Sequence, residues 1–144
     1  MQNNNYGKRN KSKTMKKFIS VLIILIAVVG VCIFEEIYLN NFKKEFLEKA
    51  DNVYTIISNN ESNINNDNIN SSCENLYNYW NNSKRNICYF ANYEKIKGID
   101  ESFIKLKTAI KNNDKALAME NIAVISNTDK FFEYMVGFNI NNLF

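Results

Sequence analysis

Residues Phe18 to Phe34 (FISVLIILIAVVGVCIF) form an apolar run with no charge, at the short end of what a helix needs to cross a bilayer core. Beyond it the pattern turns periodic. Leu39, Phe42, Phe46, Ala50, Val53 and Ile57 recur at steps of three and four, with Lys43, Lys44, Glu48 and Lys49 around them; this is one stripe of an amphipathic helix. Nothing between Phe34 and Leu39 interrupts a helix, so this segment reads as a continuation of the apolar run. Asn59 to Asn70 (NNESNINNDNIN) loses all periodicity, and its short polar side chains compete for backbone hydrogen bonds, which predicts a loop. Ser71-Ser72-Cys73-Glu74 has capping-box spacing and opens the next helix, with Cys73, Leu76, Trp80, Ile87 and Ala91 inward. The pattern breaks near Asn92. A third helix runs from about Glu94, with Ile99, Phe103, Leu106 and Ile110 inward. Asn112-Asn113-Asp114 makes a turn whose Asn113 or Asp114 caps a fourth helix, with Leu117, Asn121, Val124, Thr128, Phe131, Met135 and Phe138 on its inner face.

The expected fold is all-α: an N-terminal transmembrane helix followed by an extracytoplasmic up-and-down bundle of about four helices. Short connections force neighbours to run antiparallel. The absence of Pro and the presence of only 4 Gly agree with long uninterrupted helices. The sequence shows no tetratricopeptide-type repeat. Its 27 asparagines are interspersed with periodic apolar residues, so low complexity is not the reading.

The formal net charge of +3 conceals a division. Lys8, Arg9, Lys11, Lys13, Lys16 and Lys17 form a basic block, and no acid appears before Glu35. The rest of the chain has more acidic than basic side chains. Lys16 and Lys17 precede the apolar run and Glu35 and Glu36 follow it, as membrane flanks would. The positive-inside bias then puts residues 1–17 in the cytoplasm as a basic tail, 18–34 in the membrane, and 35–144 outside, with an Asn-rich loop at 59–70. The expected partners are the lipid bilayer and another envelope membrane protein, with self-association left open. A nucleic-acid binder would carry its basic patch on the folded domain with aromatics interleaved, so nucleic acid is not expected. Val28 and Gly30 would just serve a signal-peptide cut, but the run exceeds most signal h-regions, and an uncleaved anchor is expected. Val31 stands where a lipoprotein box wants a small residue, and Lys17 and Leu22 where a type IV pilin start wants glycine and glutamate.

Candidate chemistry is sparse. There is no His, which removes the commonest general base and metal ligand. Cys73 and Cys88 on one helix would lie about 22 Å apart, beyond the roughly 7 Å limit of a disulfide, so both are expected as buried free thiols. Glu35-Glu36 and Asp100-Glu101 are adjacent acids that point about 100° apart on a helix, so neither pair forms a shared site. No glycine-rich or nucleophile-elbow context surrounds Ser, Lys or Tyr. No catalytic residue, cofactor or metal is expected, and the chain reads as non-enzymatic. Trp80, the single tryptophan, reads as a core anchor. Tyr77, Tyr79, Tyr89, Phe90 and Tyr93 cannot all face one core, so Tyr77, Tyr79, Tyr89 and Tyr93 are candidate partner-binding residues.

Trp80 lies twelve residues before Asn92, Ile87 supplies a second bulky apolar position, and Glu94, Ile96, Ile99 and Asp100 form an acidic and apolar string. Phe103, Leu106, Ile110, the Asn113-Asp114 turn with Ala116-Leu117, and Leu143-Phe144 follow. On these residues the chain resembles the domain-of-unknown-function family 4363, short single-pass membrane proteins of spore-forming Gram-positive bacteria. The resemblance covers nearly the whole chain after the basic tail. Tyr93 stands where the family often has His, and the insert at 59–70 and the extended tail depart from its usual pattern. The resemblance brings no activity, catalytic residue or cofactor. Genes of the family often neighbour those of a multi-spanning membrane protein, which implies an accessory-subunit role. A ligand-sensing bundle that signals through a partner is the second expectation, since no output module follows the predicted bundle.

Overall fold

The computed structural model describes residues 5–88, 93–128, 130 and 132. Among them the secondary structure is helical throughout: α1 (Asn5–Ser58), α2 (Asp67–Ile87), α3 (Tyr93–Lys111) and α4 (Lys115–Ser126). As the uninterrupted sequence predicts, the apolar run and the first amphipathic stripe share one helix, α1.

The chain divides into two compact units, Met1–Tyr38 and Leu39–Phe144. In the first, the large apolar side chains from Phe18 to Phe34 are exposed, including Phe18, Ile23, Ile26 and Phe34. The most apolar window of α1 has a mean hydropathy of 2.9 and no residue buried. One helix is therefore long and apolar enough to cross a membrane.

The second unit is a helical core. The predicted α1 stripe is entirely buried: Leu39, Phe42, Phe46, Ala50, Val53 and Ile57. Against it lie Cys73, Leu76, Trp80 and Ile87 of α2, and Ile99, Phe103, Leu106 and Ile110 of α3. The centre is aromatic, with Phe46 at 5.6 Å from Trp80 and 5.9 Å from Phe132, and Phe42 at 5.4 Å from Phe132. Tilted and edge-on contacts of this kind favour ring quadrupoles as well as burying area.

The structure corrects three local expectations. The second helix opens at Asn66, not at Ser71. The Asn66 side chain accepts from the Ile69 N–H (3.0 Å), so Asn66 is the N-cap and Ser71 lies within the helix. An asparagine supplies the capping oxygen as well as a serine does, and the earlier start buries Ile69 along with the loop residue Ile64. On α4 the inner face is Ala118, Asn121, Ile122 and Ile125, while Val124 is about half exposed and Leu117 is also exposed. The predicted stripe is displaced by one position, about 100° around the helix. Asn121 and Thr128 remain buried, and Phe132 joins the core; Phe131, Met135 and Phe138 lie outside the described residues, as does Ala91. Cys88 is exposed at the C-cap of α2, while Cys73 is buried as expected, and both are free thiols.

The turn between α3 and α4 shows why asparagine serves where glycine is commonest. Asn113 has φ 56, the left-handed conformation of a helix C-terminal cap. Its N–H donates to the Ile110 carbonyl (3.0 Å), and the Asp114 N–H donates to that of Ala109 (2.9 Å). The Asn113 side chain also accepts from the Ile64 N–H (2.8 Å), tying the Asn-rich loop to this turn. Asp114 then caps α4 by accepting from the Leu117 N–H (3.0 Å). Lys115 closes the same end by donating to the Ser58 carbonyl (2.8 Å). Asn113→Gly is expected to cost about 1 kcal/mol, for the lost tie alone. Asn113→Ala adds a left-handed backbone penalty of roughly 1–2 kcal/mol. Chemical denaturation that ranks the glycine variant below the alanine one would refute this assignment.

Candidate functional site

Ion pairs of opposite sense link α2 to α3. Lys84 of α2 meets Asp100 of α3 at 3.0 Å, and Glu74 of α2 meets Lys107 of α3 at 2.6 Å. As the chain advances along α2 it retreats along α3, so the two helices run antiparallel here. Both pairs are partly open to solvent, so each adds little stability by itself.

Trp80 anchors the first end. Its ring is fully buried among Phe42, Phe46 and Phe103, and its indole N–H donates to Asp100 Oδ1 at 2.8 Å. Lys84 Nζ donates to both carboxylate oxygens, at 3.3 and 3.0 Å. The carboxylate thus satisfies a buried donor on one side and meets a half-buried cation on the other. A buried indole needs such an acceptor.

At the other end, Tyr77 lies edge-on to Phe103, with ring centroids 5.5 Å apart, and Lys107 Nζ sits 4.6 Å from the Tyr77 ring centroid. The hydrogen bond to Glu74 holds the Lys107 ammonium above its ordinary 10.5, against an opposing desolvation. Beside it, burial pushes the Cys73 thiol up from its ordinary 9.0 to about 11. Such a thiol stays protonated near neutral pH and is a poor nucleophile. Asn65, Ser71, Cys73, Lys107, Ile110 and Lys111 are among the lining of an open cleft of ≈ 520 Å³ at this end.

Two measurements follow from the thiols. A water-soluble maleimide is expected to label Cys88 in the native chain and Cys73 only after denaturation; equal native rates would contradict the burial of Cys73. The shifts of Cys73 and Lys107 share a sign, because the folded state holds each proton more tightly than the unfolded state does. Stability is then full below about pH 9 and declines as pH rises through 11. The Cys73 contribution is at most roughly 2–3 kcal/mol, and Cys73→Ala should flatten the decline between those pH values in stepped-pH denaturation.

The predicted tyrosines are separated. Tyr77 faces α3, whereas Tyr79 stacks on Phe42 of α1 at 5.4 Å with Lys49 over its ring. Positions two apart on a helix point about 200° from each other, which accounts for the split. Tyr93, the first residue of α3, is 73% exposed. Tyr89 and Phe90 lie outside the described residues. Lys16, Lys17 and Glu36 are exposed on α1, and Glu35 is partly so. Among the described residues no group of three His, Cys, Asp or Glu side chains is placed to hold a metal ion.

Sequence reasoning placed Trp80 in the core but missed Asp100 and Lys84 as its polar surroundings, and the Glu74–Lys107 pair beside Tyr77. The available signal was the single indole, whose N–H required an acceptor, and an acid flanked by the inward Ile99 and Phe103.

No curated protein and no solved structure shows a significant match to the chain. The family described as a domain of unknown function, DUF4363, matches residues 33–143, a span that takes in Trp80, Asp100 and both ion pairs, and the chain belongs to that family.

Proposed function

We propose that the protein is a single-pass, membrane-anchored interaction protein that holds another envelope membrane protein, as an accessory subunit without catalysis of its own. The observation that carries this reading is the apolar run on α1, none of it buried, joined in one chain to a separately packed helical unit. An apolar surface on every side of a helix suits lipid, not water. The cations before the run and Glu35-Glu36 after it favour a cytoplasmic tail and an extracytoplasmic up-and-down bundle. Among the described tyrosines, Tyr93, large and exposed at the start of α3, is the one best placed for a partner.

A tagged full-length chain captured from gently solubilised native membranes after crosslinking tests the reading. One stoichiometric membrane partner is expected, and Tyr93→Ala should weaken its capture while leaving the helical circular dichroism unchanged. Capture of the chain alone would overturn the accessory role.

The cleft beside Lys107 and Lys111 favours a second reading, an extracytoplasmic ligand-sensing bundle that signals through a partner. Saturable thermal stabilisation by a small molecule, lost in Lys111→Ala, would favour it over the first.

A further inference from the structure

Within the ten residues Lys8 to Lys17 stand six cations: Lys8, Arg9, Lys11, Lys13, Lys16 and Lys17. The backbone there is helical from Asn5 and enters the apolar run without a break. At 1.5 Å per residue, Lys11, Lys13, Lys16 and Lys17 fall within about 10 Å of Phe18 along the helix axis, about one Debye length at physiological ionic strength. The nearest acids in sequence, Glu35 and Glu36, lie beyond the far end of the run, roughly 25 Å along the axis, where screening removes most of their influence. The block is therefore a concentrated positive charge set at the edge of an exposed apolar surface.

We infer that this block recognises anionic phospholipid headgroups and gathers acidic lipid around the span. The inference rests on the membrane-anchored reading above. Each lysine or arginine near an anionic leaflet strengthens association about fivefold at moderate salt, so several together select acidic over zwitterionic lipid. Continuity with the apolar run favours lipid over nucleic acid, because the charge stands where headgroups meet the hydrocarbon and not on the folded unit.

The test reconstitutes the full chain in phosphatidylcholine bilayers with a trace of spin-labelled phosphatidylglycerol or spin-labelled phosphatidylcholine. The motionally restricted fraction of each label reports its association with the chain. Phosphatidylglycerol is expected to be preferred by about three- to tenfold at low salt, and the preference should fall toward unity at high salt. The combined variant Lys8→Gln, Arg9→Gln, Lys11→Gln, Lys13→Gln keeps Lys16 and Lys17 at the flank and should lose most of the preference. Equal association of both labels would overturn the inference and leave the anchor standing, as would an unchanged preference in the variant. Failure of the chain to co-float with any bilayer would overturn both. Flotation only with phosphatidylglycerol-containing bilayers, reversed by salt, would uphold headgroup recognition and overturn the anchor. Loss of the preference to inorganic phosphate or short duplex DNA at matched ionic strength would assign the block to those anions instead of lipid.

Discussion

Trp80→Ala is expected to destabilise the helical unit by about 3–5 kcal/mol, the largest effect of any single substitution in its core. The indole is fully buried and touches rings from α1 and α3, so its removal opens a cavity where three helices meet. It also leaves Asp100 with Lys84 alone. A domain of this size has about 5–15 kcal/mol of stability in total, so the loss would take a large part of it. Trp80→Phe keeps most of the ring packing and removes the N–H donor, which should cost less, and Asp100→Ala leaves the buried N–H unpaired at about 1–3 kcal/mol. Denaturant unfolding of the full chain in micelles, followed by circular dichroism, measures all three. If Trp80→Phe cost as much as Trp80→Ala, the hydrogen bond would matter more than the packing.

Ile26→Arg should release the chain from the membrane. Position 26 lies at the middle of the Phe18–Phe34 run and is 62% exposed. Exchanging isoleucine for arginine at the centre of a span costs roughly 3–4 kcal/mol on insertion scales. The membrane-bound fraction after alkaline carbonate washing should fall by more than tenfold, while Ile26→Leu should leave it unchanged. The packed unit from Leu39 onward does not depend on this position, so the melting of its helices should be unaffected. Retention of the arginine variant in the washed membranes would show that the run is not what holds the chain there.

Much of the fold was legible because most of the helices have one apolar face. On α1 and α3 most positions between the inward residues are charged or polar, so one stripe dominates the helical period. On α4 the sequence KALAMENIAVIS offers Leu117 and Val124 on one side and Ala118, Ile122 and Ile125 on another. Either stripe satisfies the period, and only contact with the rest of the core chooses. α4 packs closely on α3, and there Ala118 is buried while Leu117 is left exposed. The start of α2 is ambiguous for a related reason. Several Asn and Ser side chains in that stretch can cap a helix, and Asn66 wins because starting there buries Ile64 and Ile69.

The sequence by itself determined the apolar span, the helical class, the buried stripes of α1 and α3, and Trp80 as a core residue, because each is a property of neighbours along one helix. It also determined the position of the turn at Asn113-Asp114, since the backbone groups of both residues and the Asp114 side chain bond to backbone groups within a few residues. The tertiary structure alone decided which face of α4 is buried, that the Asn-rich loop is tied to Asn113, and that Asp100 joins Trp80 to Lys84. It also decided that Tyr77 and Tyr79 belong to different contacts. These depend on distances between residues far apart in the chain, set by how the helices pack, and no local period encodes them.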